Sequence, residues 1–216
     1  MKGINVRSPC IPASRIQPSA SSPAARPSGI SRECTLGCVG LTEALTEANS
    51  LGEREFVARF GSVFEHSPWV AQRAWAKRPF RSVDALHRAM IEAVARAKEE
   101  EQLALVRAHP ELAGAEAKTG DLTTDSSSEQ ARLGFLQLTQ KDLRKIARLN
   151  QGYRERHGFP CIVALRLHAT RESVVAEMER RLANDSSTEM KNALEQIGHI
   201  TRGRLDKLFK KAQWAS

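Results

Sequence analysis

The chain has 216 residues, 27% of them charged, and a formal net charge of +8, a size that allows one domain or a domain with an extension. No stretch approaches the roughly 18 uninterrupted apolar residues of a membrane helix, and no compact apolar segment marks a secretory signal. The charge would suit a nucleic-acid partner, but its distribution does not: residues 1–40 hold five basic residues against one acidic, leaving 28 against 24 in the rest, with the two signs interspersed.

Residues 1–40 contain more than half of the nine prolines, many serines and almost no apolar residue at helical or strand spacing. Such a segment cannot bury enough surface to offset its ordering entropy, so it is expected to be a flexible, disordered N-terminal extension, with residues 41–216 as the folded domain. Cys10, Cys34 and Cys38 fall in the extension and Cys161 in the body. That is not a disulfide framework, and no second Cys or His pair lies at metal-ligand spacing near Cys34 and Cys38. No metal is expected. The terminal Gln213-Trp214-Ala215-Ser216 is not a peroxisomal address, and the cytoplasm is the expected compartment.

The body reads as all-α, a single compact bundle of about seven to nine helices with one short extended segment. Ser50 to Glu53 has capping-box spacing ahead of Phe56, Val57 and Phe60. Ser67-Pro68 offers an N-cap and a first-turn proline for a helix through Val70 and Ala74, ended by Pro79. Ser82 opens the longest apolar stripe, Leu86, Met90, Ala93, Val94 and Ala97, continued by Leu103, Leu105 and Val106 after an acidic turn. Pro110 closes it and leaves His109 at a helix end.

Residues 113–125, rich in Gly, Thr and Asp, read as a loop. A helix is expected from Ser126 through Leu138, and another through Leu143, Ile146, Leu149 and Tyr153, stopped by Gly158. Phe159-Pro160-Cys161-Ile162-Val163-Ala164-Leu165 is an apolar run without helical spacing, too short for a buried helix, and reads as an extended buried segment. Two helices follow, near 172–184 and 188–212.

Two polar strings interrupt regular structure: His109-Pro110-Glu111-Leu112-Ala113-Gly114 and Ser126-Ser127-Ser128-Glu129-Gln130. Each has a purely structural explanation, since a histidine suits a helix C-terminus and Ser126 with Glu129 matches a capping box. Together with Phe60-Gly61, Val63-Phe64-Glu65-His66-Ser67-Pro68-Trp69-Val70, Leu149-Asn150, Tyr153, His157-Gly158-Phe159-Pro160, Arg181-Leu182 and Arg204-Leu205, in that order, they make the body resemble the OHCU decarboxylase family from about Phe56 to Leu208.

The resemblance implies decarboxylation of 2-oxo-4-hydroxy-4-carboxy-5-ureidoimidazoline (OHCU) to (S)-allantoin and CO2 in urate breakdown, without a cofactor, by a homodimer. It implies His109 as catalytic proton donor, Glu129 as its electrostatic or substrate-orienting partner, and Arg204, two residues from Arg202, as the arginine facing substrate. It further implies substrate contacts at Pro110, Ser126, Ser127, Ser128 and Gln130, and along the backbone of Cys161, Ile162, Val163, Ala164 and Leu165. Cys161 stands where relatives commonly carry phenylalanine. The chemistry fits these types: the substrate's own imidazolone ring can accept the electrons released with CO2, leaving the protein to bind an anion and deliver one proton, a task for a group titrating near neutrality. Free amides opening a helix at 126–130 would add to anion binding.

Glu65, His66 and Trp69 read as capping and packing residues, Glu111 as a loop support, and His87, His157, His168 and His199 as solvated or packing histidines. The competing class is a basic helical nucleic-acid or protein binding module without catalysis, favoured by a pI near 9.7 and the run Arg202, Arg204, Lys207, Lys210, Lys211. Against it stands the lack of a helix-turn-helix or aromatic RNA-binding signature.

Overall fold

The computed structural model describes the backbone of residues 32–212 and the side chains of residues 41–210. Ten α-helices occur among them: α1 (Arg32–Ser50), α2 (Glu53–Phe60), α3 (Trp69–Trp75), α4 (Val83–Ala95), α5 (Glu99–Arg107), α6 (Ala115–Thr119), α7 (Thr124–Arg132), α8 (Gln140–His157), α9 (Arg171–Arg181) and α10 (Ser186–Ala212). Single 3-10 turns at Gly61–Val63 and Leu165–Leu167 complete the regular structure, and no strand is present among the described residues. The all-α expectation holds, with one helix more than the upper count.

The longest helix, α10, is the spine. It packs against α1, α4, α5, α8 and the Leu165–Leu167 turn, burying Ala193, Ile197, Ile200, Leu205 and Phe209 along one side, as an apolar stripe of period 3.6 requires. Phe60 of α2 stacks on Phe209 of α10, with ring centroids 5.8 Å apart, and Phe56 tilts against Phe60 at 4.7 Å. Burial of each such ring stabilises the fold by about 2–3 kcal/mol, so this aromatic column fixes where α10 sits against the N-terminal helices.

Several boundaries differ from the sequence reading for local reasons. The backbone does not break at residue 40, because α1 starts at Arg32 and runs through it; residues 1–31 of the expected extension lie outside the described residues. Ser50 does not cap α2: its hydroxyl donates to the Glu47 carbonyl at 2.8 Å, while Glu55 accepts from the Gly52 amide at 3.2 Å. The segment 113–125 is not wholly a loop, since it contains α6 and the first two residues of α7. The helix expected from Ser126 to Leu138 is α7, which ends at Arg132. The stripe opened by Ser82, whose hydroxyl accepts from the Ala85 amide at 3.0 Å, divides into α4 and α5.

The segment 159–165 is buried at every residue and lies in no strand, so its backbone groups need partners from side chains. Arg181 donates to the Ile162 carbonyl at 2.6 Å, Gln196 accepts from the Ala164 amide at 2.9 Å, and Arg132 donates to the Leu165 carbonyl. Behind it, Arg181 pairs with Glu189 at 2.8 Å with both side chains sealed from solvent. Tyr153, Asn184 and Asn192 also donate to the Glu189 carboxylate. This network ties α8, α9 and α10 to the extended segment, whose other face borders a pocket.

Candidate active site

His109 lies just beyond α5, where Pro110 prevents the helix from continuing. Its Nδ1 is 2.9 Å from the Leu105 carbonyl. A carbonyl only accepts, so the neutral ring carries its proton on Nδ1 and leaves a lone pair on Nε2. That Nε2 is buried and has no hydrogen-bond partner among the described residues. Burial pushes the imidazole pKa down from 6.5 to about 4, against the opposing pull of the Leu105 bond and the Glu65 charge. Among the protein's own groups His109 is therefore neutral at physiological pH.

The chain after His109 is clamped from two sides. Gln130 accepts from the Ala113 amide at 2.9 Å and donates to the Glu111 carbonyl at 3.4 Å, and Asn150 donates to the Leu112 carbonyl at 2.9 Å. Ala113 adopts a left-handed φ of 48°, and at Gly114 a Cβ would stand 2.7 Å from the Glu111 Cβ. The turn thus needs glycine at 114 for space. Glu111 supports it from outside through an ion pair with Arg154.

Thr123 caps α7, accepting from the Ser126 amide at 3.3 Å, while the Ser127 amide donates to the Thr123 carbonyl at 2.8 Å. These two amides are satisfied within the helix end, contrary to the expectation that they meet an anion. The capping box expected at Ser126 and Glu129 likewise gives way to Thr123. Ser126 and Gln130 are buried on the inward face of α7 and Glu129 stands beside them.

Arg204 of α10 is the charged centre of the site. Its Nε and Nη2 each lie 3.1 Å from an oxygen of Glu129, Nη1 is 2.6 Å from Glu65, and Nη2 also reaches the Ser126 hydroxyl at 3.1 Å. Arg202 instead faces outward to Asp84 and Asp206. The C-terminal basic run is accordingly no single stripe, with Arg204 buried, Arg202 paired and Lys207 3.9 Å from Asp125.

Glu65, read as a capping residue, is a member of this cluster. Its carboxylate accepts from Thr123 at 2.6 Å and from Ser126 at 3.0 Å besides pairing with Arg204. Burial alone would raise its pKa; the Arg204 charge and the bonds from Thr123 and Arg204 outweigh that and hold it below the ordinary carboxylate value.

His109, Pro110, Leu112, Ser126, Glu129, Gln130, Cys161, Ile162, Val163, Leu165, Ile200 and Arg204 line one pocket of about 380 Å³ including its mouth. His109 and Glu129 thus face the same hollow beside the extended segment. Three anticipated contacts do not. The Ser128 side chain donates to the Asp125 carbonyl, Ser127 is absent from the lining, and Ala164 is sealed behind it with its amide on Gln196. The anticipated pairing of Glu129 with His109 also differs, since Glu129 is engaged by Arg204 and the carboxylate whose charge His109 feels is Glu65. Along the edge, the amide and carbonyl of Val163 have no hydrogen-bond partner among the described residues, leaving a donor and an acceptor for a flat amide-bearing ligand. Burial pushes the Cys161 thiol up to about 12, so it is a wall, not a nucleophile.

The OHCU decarboxylase family profile matches residues 49–206. A protein of Haloferax volcanii named 2-oxo-4-hydroxy-4-carboxy-5-ureidoimidazoline decarboxylase is 41% identical over 165 residues, covering 76% of this chain and 95% of that relative. The chain belongs to the OHCU decarboxylase family. A Mus musculus relative of the same name is 36% identical over 168 residues, covering 76% of this chain and 92% of its own. A crystal structure of (S)-allantoin synthase superposes with a TM-score of 0.61 at 27% identity, covering 76% of this chain and 53% of that one. Two lining residues of this family member's pocket, Leu112 and Ile200, are not marked as such in the sequence, nor is Glu65, which binds Arg204 from outside the lining. Ile200 sits one helical turn before Arg204, so i, i+4 spacing on α10 marks it as a neighbour on the same face. Glu65 carried only its place in the Glu-His-Ser-Pro-Trp string.

Proposed function

We propose that this pocket decarboxylates 2-oxo-4-hydroxy-4-carboxy-5-ureidoimidazoline to (S)-allantoin and CO2. The observation that carries the reading is the convergence of a buried, unpartnered His109 Nε2 and the Arg204 guanidinium on one hollow bordered by the Val163 backbone. Arg204 holds the substrate carboxylate and Val163 its ureide amides. When the carbon–carboxyl bond breaks, CO2 departs and its bonding electrons pass into the substrate's ring system. One proton then closes the balance.

His109 delivers that proton. Neutral among the protein's own groups, it takes one up as the anionic substrate binds, because a negative charge in a water-poor site favours the imidazolium. Transfer from Nε2 to one face of the ring carbon gives the single handedness of the product and returns the imidazole to neutrality. Glu129, on the pocket wall, orients the substrate hydroxyl. No cofactor enters this scheme, and the protein works as a cytoplasmic homodimer.

The test is direct: freshly generated OHCU is mixed with the purified protein, and CO2 release and circular dichroism of the product are followed together. Faster CO2 release with optically active (S)-allantoin is the expected result; rates and a racemic product equal to those without protein would defeat the proposal.

A further inference from the structure

Arg204 is held by two carboxylates in unlike settings. Glu65 has 1% of its side chain exposed and receives hydrogen bonds from Thr123, Ser126 and Arg204. Glu129 has 23% of its side chain exposed, lines the pocket, and is engaged by Arg204 alone. With His109 neutral, Arg204 and its two carboxylates, Glu129 in the pocket lining and Glu65 behind it, carry a net charge of −1 where an anion must bind. A carboxylated substrate cannot share the guanidinium while both acids keep their bonds, because an excess buried charge is strongly unfavourable. One acid must yield. Three donors hold Glu65, and moving it would strand Thr123, Ser126 and Arg204, whereas Glu129 can swing toward the pocket mouth and lose a single partner.

Building on the decarboxylase reading, we propose that Glu65 is a positioning residue: it anchors Arg204 and Ser126 in the pocket while Glu129 gives up the Nε and Nη2 face of the guanidinium to the substrate carboxylate. Glu129 sits on the same face of the guanidinium that the ligand's own carboxyl group would take. Glu65 also supplies a negative charge that His109 feels, opposed by the positive charge of Arg204. It therefore serves both the anion-binding and the proton-delivering halves of the site without touching substrate.

Glu65→Gln removes the charge and leaves an oxygen that can accept from Thr123 or Ser126. Arg204 then has Glu129 as its one remaining counterion, so Glu129 stays bound and the substrate carboxylate is refused. For the folded variant, kcat/KM for OHCU should fall about 100-fold, the scale of a displaced positioning group. Affinity for (S)-allantoin, which lacks the carboxylate, should stay within about twofold of the wild type. Glu65→Asp should recover part of the loss. A purely structural role would weaken both ligands together, and that outcome, or wild-type kcat/KM in folded Glu65→Gln, overturns the proposal.

If Glu65→Gln does not fold, Thr123→Val, which takes one donor from the Glu65 carboxylate, replaces it. A selective loss of OHCU turnover of about tenfold supports the assignment, and unchanged turnover overturns it. Wild-type protein measured in parallel separates the two levels. An inactive wild type removes the decarboxylase reading itself, while an active wild type with an unaffected variant removes only the role of Glu65.

Discussion

Lowering the pH should unfold this protein through His109 in a way that one substitution can isolate. The buried imidazole has a pKa near 4 in the folded state against about 6.5 in the unfolded chain. Between those values the unfolded state binds a proton that the folded state refuses, so stability rises with pH across this window and is complete above about 6.5. Taking the protein from pH 7.5 to pH 4.5 therefore costs about 2–3 kcal/mol from this residue alone. His109→Asn removes the titrating group, and urea denaturation of both proteins at both pH values gives the comparison. The wild type should lose about 2–3 kcal/mol more than the variant over that interval. Other groups, such as His157 and His87, also titrate low because of burial, but they cancel in the difference. Equal losses in the two proteins would show that burial does not depress the His109 pKa and that the imidazole is not held neutral.

Arg181→Met should destabilise the fold by about 3–5 kcal/mol in chemical denaturation, because it strands the sealed Glu189 carboxylate and frees the Ile162 carbonyl; a loss below about 1 kcal/mol would contradict the network's role. Cys161 should resist iodoacetamide in the native protein and react once unfolded, since only the thiolate is nucleophilic and burial holds its pKa near 12; mass spectrometry of its peptide reads this, and rapid native labelling would show the wall to be open. Ser127→Ala and Ser128→Ala should each leave OHCU turnover within about twofold of the wild type, as groups outside the pocket contribute little to transition-state binding, whereas Ser126→Ala should lower it.

The helices were legible wherever apolar spacing or a cap marked them, as with Ser82 before α4 and Gly158, whose φ of 77° ends α8. The extended segment was legible because an apolar run of that length lacks a helical face. Boundaries near 113–138 were not, because α6 and the close of α7 carry few apolar anchors and depend on Gln130 and Asn150 bonding to a distant turn. Most of the pocket followed from the resemblance, yet helical geometry corrects it. Residues 126, 129 and 130 share a face at i, i+3 and i+4, while 127 and 128 rotate away. Glu65 was hidden for another reason: its partner Arg204 lies 139 residues later in the chain, and no local pattern announces so remote an ion pair.

Proton delivery to the substrate depends on His109, and replacing the imidazole tests this most directly. Wild-type protein and His109→Asn, both verified as folded by far-ultraviolet circular dichroism, are given freshly generated OHCU, and the optical activity of the product is recorded over time. The wild type should form (S)-allantoin, while the variant should leave only the uncatalysed, racemic background. Formation of (S)-allantoin by the variant at near wild-type rate would contradict the account.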